Sequence, residues 1–480
     1  MCLGSIDITK VRRIKKLLEN SVDDLLLNHR DILCRNPASD FTRERDFNAK
    51  KTLSTLIRFG STNAESELIN ILNCKNAARN INSAFLQQRK KLTDQCFPFL
   101  FQSFTEKIFK DNTLGLKDYL CHGMHLLAAD GSDVNVAYNP NDPLTYVAKK
   151  NARGYNQIHL NAMYDVCTGM WMSANIQGIH RKQERRALVE MISQLKDAKK
   201  CIITADRGYE SFNTFAACIE AGSKFVIRLK DIESNGIISA YDLPDSEFDV
   251  DITTILTKRR TKETLRDIDK YTVLPYYTDF DFFGGDDATY EITIRVVRFR
   301  LPNGQYVAVA TNLDEEEYGK DVLREIYHRR WTCETGFRRL KHTIGLINFH
   351  SWKMQYIHQE VFARLIQYNF CAAIIAAITP FVPPIEENDC TCCESKDSSV
   401  DDVDREGNAP DGGDLPQKKT GIAFTKAVTV CRKLFIAQPK DFIRDAVNTI
   451  RAHTYETKAG RSFVRNVKPK SNKPFSYKPC

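Results

Sequence analysis

Tyr327-His-Arg-Arg-Trp-Thr-Cys-Glu-Thr-Gly-Phe-Arg-Arg-Leu-Lys341 is the stretch on which the reading of this chain turns. It holds too few breakers for a loop and its spacing predicts a helix. At about 100° per residue, Tyr327, Arg330, Trp331, Glu334, Arg338 and Lys341 share an arc of roughly 100°, and Ile326, Cys333, Phe337, Leu340 and Ile344 form an apolar stripe beside it. One side can pack while the neighbouring side meets a ligand. That second side carries one carboxylate, three cations and two aromatics, a mixture unlike a solvated face with paired charges. Cations can hold phosphate oxygens, aromatics can meet a base or sugar, and a lone Glu334 can help hold a divalent ion at the phosphate being cut. The plainer alternative is a helix docked on an acidic surface of its own protein.

Tyr327-x2-Arg330-x3-Glu334-x6-Lys341 resembles, without a gap, the YREK signature of DDE-type bacterial insertion-sequence transposases of the fourth insertion-sequence family. Trp331 follows the Arg as in several relatives. The resemblance implies two further acids upstream, each on a strand.

Met124-His-Leu-Leu-Ala-Ala-Asp130-Gly-Ser-Asp133 offers the first, an apolar strand ending in an acid next to a glycine turn. Lys200-Cys-Ile-Ile-Thr-Ala-Asp206-Arg-Gly-Tyr repeats the arrangement and offers Asp206. Taken singly, either acid could be a helix cap or turn residue. Between them, 157–166 and 170–179 read as strands and 183–195 as a helix. The order β, β, β, α, β, then a later helix with Glu334, is that of an RNase H-like α/β fold. By resemblance, Asp130, Asp206 and Glu334 are the catalytic acids; Asp133 lies beyond the turn and ranks below them.

Such carboxylates, converging from two strand ends and a helix, can bind two divalent ions roughly 4 Å apart. Hard oxygen ligands and substrate phosphates suit Mg2+, with Mn2+ as a substitute, and the lack of a His-x3-His or His/Cys cluster argues against zinc. The resemblance implies cleavage of double-stranded DNA at transposon ends and joining to a target, with Tyr327, Arg330 and Lys341 gripping phosphates beside Trp331 and Arg338. A homodimer on DNA and a hairpin intermediate follow by the same analogy. A nuclease or resolvase of the same fold, and an inactive DNA-binding relic, are the alternatives.

Working outward, six segments are expected. Residues 1–120 form a helical domain that resembles the end-binding domain of these transposases, with Arg43, Arg45, Arg89, Lys90 and Lys91 as DNA contacts on what could be a groove-facing helix; an ordinary amphipathic face is the alternative. Residues 121–230 and 305–380 supply the two parts of the core, and 231–304 a β-rich insertion with strand-like runs at 249–256, 271–277 and 291–300. Some relatives place a Trp in that insertion against a flipped base. Here Trp171, Trp331 and Trp352 all lie elsewhere, so the role falls to Tyr276, Tyr277 or Phe283 if it exists. An acidic linker is expected at 381–420, then a helical segment and a basic tail within 421–480.

Composition sets the outer limits. The chain has 480 residues, a formal charge of +8 and 42% hydrophobic residues, which describe a globular protein of two to four domains open to a nucleic-acid partner. Fifteen cysteines lie without framework spacing and no signal peptide opens the chain, which predicts a reducing cytoplasm. The longest apolar run, 370–378, is too short to span a bilayer, so no membrane association is expected.

Overall fold

The structure is a computed structural model that describes residues 3–72, 81–285, 288–301, 304–379, 420–435 and 440–456. The acidic linker, its Cys390-Thr-Cys-Cys393 run and the basic tail lie outside the described residues. The chain opens with α1 (Leu3–Asn28), α2 (Arg30–Leu33), α3 (Ala49–Arg58), α4 (Ala64–Leu72), α5 (Ile81–Arg89) and α6 (Cys96–Lys110). Asn48 starts α3 by accepting the Lys51 amide on its side chain, satisfying one orphan donor of the first turn.

The central segment runs β1 (His125–Val136), β2 (Tyr146–Lys149), β3 (Ala152–Asp165), β4 (Met170–Gly178), α7 (Glu184–Ser193), β5 (Cys201–Ala205), α8 (Phe212–Glu220) and β6 (Lys224–Arg228). Next come β7 (Phe248–Thr257), α9 (Lys262–Arg266), β8 (Tyr271–Val273), β9 (Thr289–Arg300) and β10 (Tyr306–Thr311). The C-terminal elements are α10 (Lys320–Arg329), α11 (Thr332–Arg338), a π-helical turn (Arg339–Ile344), α12 (Met354–Ile378), β11 (Thr420–Ile422), α13 (Phe424–Leu434), α14 (Lys440–Ala452) and β12 (Thr454–Glu456).

One ten-stranded sheet, in the order β2-β3-β1-β5-β6-β10-β9-β7-β8 with β4 also on β3, carries this mixed α/β architecture. Strands β1, β5 and β6 are parallel, while β3 runs antiparallel beside β1 and β4 antiparallel beside β3. A parallel strand in mid-sheet must be apolar on both faces, and Leu126, Leu127, Ala128 and Ala129 are all fully buried. Leu127 and Ala129 face the layer of α7 and α8, whereas Ala128 joins the core built from α1, α6 and α12. The sheet therefore sits between helical layers.

Two expectations are corrected here, the end of β1 and the length of β8, and one pairing is added. β1 does not stop at Asp130: it continues to Val136 along β3, and what stops after Ala129 is its pairing with β5. The β-rich segment extends the core sheet, because β9 pairs with β10 and β7 with β9. The run expected over 271–277 shortens to β8, since Pro275 offers no amide to a ladder.

The N-terminal helices bury their apolar side chains in the same core as α12, α13 and α14. α12 is long and apolar enough to cross a membrane by composition, yet 94% of its apolar window is buried inside the fold. Among the described residues, nine cysteines are free thiols.

Candidate active site

The parallel register pairs Ala129 of β1 with Ala205 of β5, so Asp130 and Asp206 are the next residues on two neighbouring strands. Beyond that pair the backbones diverge. β1 carries on along β3, while the chain after β5 bends into a 3-10 turn over Arg207–Tyr209. Asp206 caps this turn, its Oδ1 accepting the Gly208 amide at 2.8 Å, and Asp130 Oδ1 accepts the Gly131 amide at 2.8 Å. The cap reading and the site reading of Asp206 are thus compatible, because one oxygen suffices for the turn.

Glu334 enters from α11, which packs against β1. That approach depends on Gly336: a Cβ there would lie 2.9 Å from the buried ring of Tyr164 on β3. Tyr164 is fixed in turn by ring contacts with Trp171 and Tyr368. Gly336 thus sets how near Glu334 comes to the sheet.

Electrostatics ties the acids together. Burial pushes the Asp130 carboxyl up to about 6; the Gly131 amide and the Arg330 charge oppose this, and the charges of Asp206 and Glu334 push the same way as burial. Among the described residues, no three His, Cys, Asp or Glu side chains converge tightly enough to cage one metal ion. The three acids share a field without forming a closed ligand set. The donor chemistry still suits a hard divalent ion, since Asp130 and Asp206 each engage one oxygen with a backbone amide and are otherwise carboxylates in a common field.

The stretch from Tyr327 to Lys341 is not one helix. α10 ends at Arg329, and the amides of Arg330, Trp331, Cys333 and Glu334 all bond three residues back, at 3.0 to 3.2 Å. This tight turn re-phases the side chains, and the π-helical turn over Arg339–Ile344 loosens the winding again. A uniform 100° step therefore fails to place them. Tyr327 and Arg330 are both 5% exposed, Trp331 is 46% exposed, and Arg338 is on the surface. The Arg330 guanidinium lies 5.5 Å from the Tyr327 ring and 5.3 Å from the Trp331 ring. Its Nε and the Tyr327 hydroxyl are buried without a hydrogen-bond partner among the described residues. Lys341 Nζ donates to the Asp133 carbonyl at 2.7 Å, which ties the π-helical turn to β1.

Arg89 needs a correction. It is 1% exposed, ion-paired to Glu360 on α12 at 2.9 Å, bonded to the Tyr356 carbonyl at 2.8 Å and stacked on the Tyr356 ring. A guanidinium enclosed this way cannot reach DNA. Lys90 is exposed, and Lys91 lies over the Phe41 ring at 5.2 Å. Of the three aromatics considered for a flipped base, Tyr276 and Tyr277 are 91% and 87% exposed, whereas Phe283 packs on Phe280.

Sequence reasoning also passed over a polar cluster beside the acids. His159 on β3 is 1% exposed, with Nδ1 2.6 Å from Asp133 Oδ1 and Nε2 3.1 Å from Glu184 Oε1. Lys182 Nζ is 3.0 Å from the same Glu184 oxygen. Burial opposes protonation of His159, but the carboxylates of Asp133 and Glu184 outweigh it and hold the imidazole above its ordinary pKa. A register argument could have found the pair, since Asp133 faces His159 directly across β1 and β3.

Residues 122–370 match the family model described as transposase DDE domain. No curated protein matches the chain by sequence. Among solved structures, the cryo-EM structure of a piggyBac transposase synaptic complex with hairpin DNA aligns over 97% of this chain and 88% of its own, at 10% identity and a TM-score of 0.37.

Proposed function

This chain belongs to the transposase DDE-domain family, and we propose that it binds the terminal inverted repeats of an insertion sequence, cleaves the strands there and joins them to target DNA. The observation that carries the proposal is the joint field on Asp130. The charges of Asp206, on the turn after β5, and of Glu334, on α11, both act on Asp130 of β1 at the point where the parallel pair ends. The strand arrangement, β4-β3-β1-β5-β6 with the last three parallel, supports an RNase H-like core that continues into the strands of 231–304. The unbroken YREK spacing supports the bacterial insertion-sequence type.

In this reading Asp130, Asp206 and Glu334 hold two Mg2+ ions. Bound there, the ions would activate a water or 3′-hydroxyl and stabilise the leaving oxygen. The chain's own residues do the rest. Arg330, walled by two aromatic rings and with Nε unengaged among the described residues, presents a preorganised donor to a phosphate oxygen. Tyr327 offers its hydroxyl from the same wall, and Lys341 keeps the π-helical turn at β1. Trp331, Arg338, Lys90 and Lys91 lie further out as DNA contacts. The protein acts as a homodimer on two DNA ends, in the cytoplasm. Tyr276, exposed beside Lys258, and the exposed Tyr277 would stack on a base displaced from the duplex.

Competition on DNA tests this. Duplex carrying the inverted repeats that flank the gene should be bound and nicked at its end in Mg2+ with unrelated duplex in excess. Equal cleavage of both duplexes would replace the transposase mechanism with a nonspecific nuclease.

A further inference from the structure

Asp130 and Asp206 leave their shared ladder at Ala129 and Ala205, and no strand pairing sets their spacing beyond that point. Two acids that must share ions need that spacing fixed within about half an ångström. The first turn of α7 lies across the gap. Glu184 Oε1 is 2.9 Å, and Oε2 3.8 Å, from where Cβ atoms on Gly131 and Gly208 would stand. The His159 ring also lies so near Gly131 that any side chain there would collide with it. Both glycines donate the amides that hold the aspartates, so one carboxylate lies beside both turns. Arg185, the next residue, donates from Nε to the Gly208 carbonyl at 2.9 Å.

We propose that the Glu184–Arg185 turn of α7 is a brace that sets the separation of the Asp130 and Asp206 turns, with Glu184 as a positioning residue. His159 and Lys182 hold Glu184, and Asp133 anchors His159 from β1. Asp133 and Glu184, two further acids beside the site, both face the basic side chains of Lys182 and His159. The brace thus links β1, β3, α7 and the turn after β5 at one point. This inference rests on the reading of Asp130 and Asp206 as metal ligands.

The test compares wild type with Glu184→Ala and the near-isosteric Glu184→Gln in the full-length protein. Mn2+ binding without DNA is followed by electron paramagnetic resonance, and the Mg2+ concentration for half-maximal end cleavage is measured separately. Removing an outer support of this kind weakens metal binding about 10- to 100-fold, so both readouts should shift that way in Glu184→Ala and less in Glu184→Gln. End-DNA binding in Ca2+ should hold within about twofold, because neither variant removes a phosphate contact. Arg185→Ala should shift metal binding in the same direction, and adding it to Glu184→Ala should cost less than the sum, since both support one turn.

Folded Glu184→Ala and Glu184→Gln proteins that bind Mn2+ as wild type does would overturn the brace. Should Glu184→Ala fail to fold, Glu184→Gln decides. Wild type that fails to cleave its ends, while Glu184→Ala still loses Mn2+ affinity, would remove the transposition reading and keep the brace. Wild type that binds no Mn2+ would remove both.

Discussion

Arg89 and Arg330 are equally hidden, at 1% and 5% exposure, yet they differ in what surrounds the charge. Arg89 meets a carboxylate, an amide oxygen and a backbone carbonyl, and so joins α5 to α12. Arg330 has aromatic walls, no ion pair among the described residues, and the field of Asp130 beyond. Burying a guanidinium costs free energy in both places, and only in the first does the fold itself offset the cost with a direct partner. The lesson is that burial alone does not sort a structural cation from a functional one. What sorts them is whether the protein supplies the counter-charge or leaves it to a ligand.

The contrast holds only if Arg330 stands beside working acids, so the largest expected effect is on Glu334. Glu334→Gln keeps size and helix propensity but removes the charge. It should bind end DNA at least as well as wild type, yet cleave it slower by a factor of about a thousand or more. Gel shifts and single-turnover cleavage in Mg2+ measure the two. Cleavage near the wild-type rate would reduce α11 to a binding face, and Arg330 with it.

Next in size is Arg89→Met. Keeping volume but deleting the charge leaves Glu360 buried with His350 as its remaining hydrogen-bond partner and no guanidinium against it, which should cost about 3–5 kcal/mol of stability. Denaturant unfolding would show it, and an unchanged midpoint would deny Arg89 its structural part. The pH dependence has a definite sign. Burial opposes ionisation of Glu360, but the charge of Arg89 and the hydrogen bond from His350 overcome it and bring the carboxyl from 4.5 down to about 2. A depressed carboxyl stabilises fully above its unfolded value, so this contribution should be complete above pH 4.5 and fade as the pH falls toward 2. Arg89→Met should flatten that acid limb.

Arg330→Met should behave in the opposite way. With no ion pair to break, stability should move by less than about 1 kcal/mol, or rise. Cleavage should fall about 100-fold, as for loss of one preorganised donor to a developing charge, with weaker end binding as well. Large destabilisation with unchanged cleavage would make the two arginines alike.

How far this was legible in the sequence follows from which forces are local. Asp130 and Asp206 could be marked because a short apolar run that meets an Asp-Gly or Asp-x-Gly step is a local signal, and Glu334 because the spacing Tyr327-x2-Arg330-x3-Glu334-x6-Lys341 lies within one short stretch. The extension of β1 past Asp130 could not, because Gly131 mimics a turn unless one knows that β3 supplies ten residues, Asn156 to Asp165, opposite Leu127 to Val136. Similarly, the runs at 249–256 and 291–300 were marked as strands, but their joining to β10 is a non-local pairing. α6 falls within the stretch read as helical, and its phenylalanines, Phe97, Phe101 and Phe104 among them, are held in a helix by the core they fill. The arc drawn over Tyr327–Lys341 assumed one winding throughout, which the tight turn at Arg330 and the π-helical turn remove. Arg89 looked like its neighbours because charge is visible in a sequence and its partner, Glu360, is not.

The smallest expected effect falls on Lys90 and Lys91, which follow Arg89 directly and separate sequence neighbourhood from function most sharply. Lys90 is exposed at the end of α5; Lys91 rests on Phe41 and donates to Gln88 at 2.8 Å. Neither holds a buried acid among the described residues, so replacing both with Ala should change stability by no more than about 0.5 kcal/mol. If they touch phosphates, each contributes counterion release, and the slope of log affinity against log salt should lessen by about 0.9 per contact. Affinity should then drop similarly for specific and unrelated duplex, because phosphate contacts carry little sequence information. The preference for the ends should survive, and cleavage at saturating protein should stay close to wild type. An unchanged salt slope in the double variant would leave the face of α5 without DNA, so that this whole end of the molecule, like Arg89, serves only to hold α12. A loss of end preference instead would give Lys90 and Lys91 base contacts, and the groove-facing role first read for α5 would then belong to the two lysines and not to the arginine.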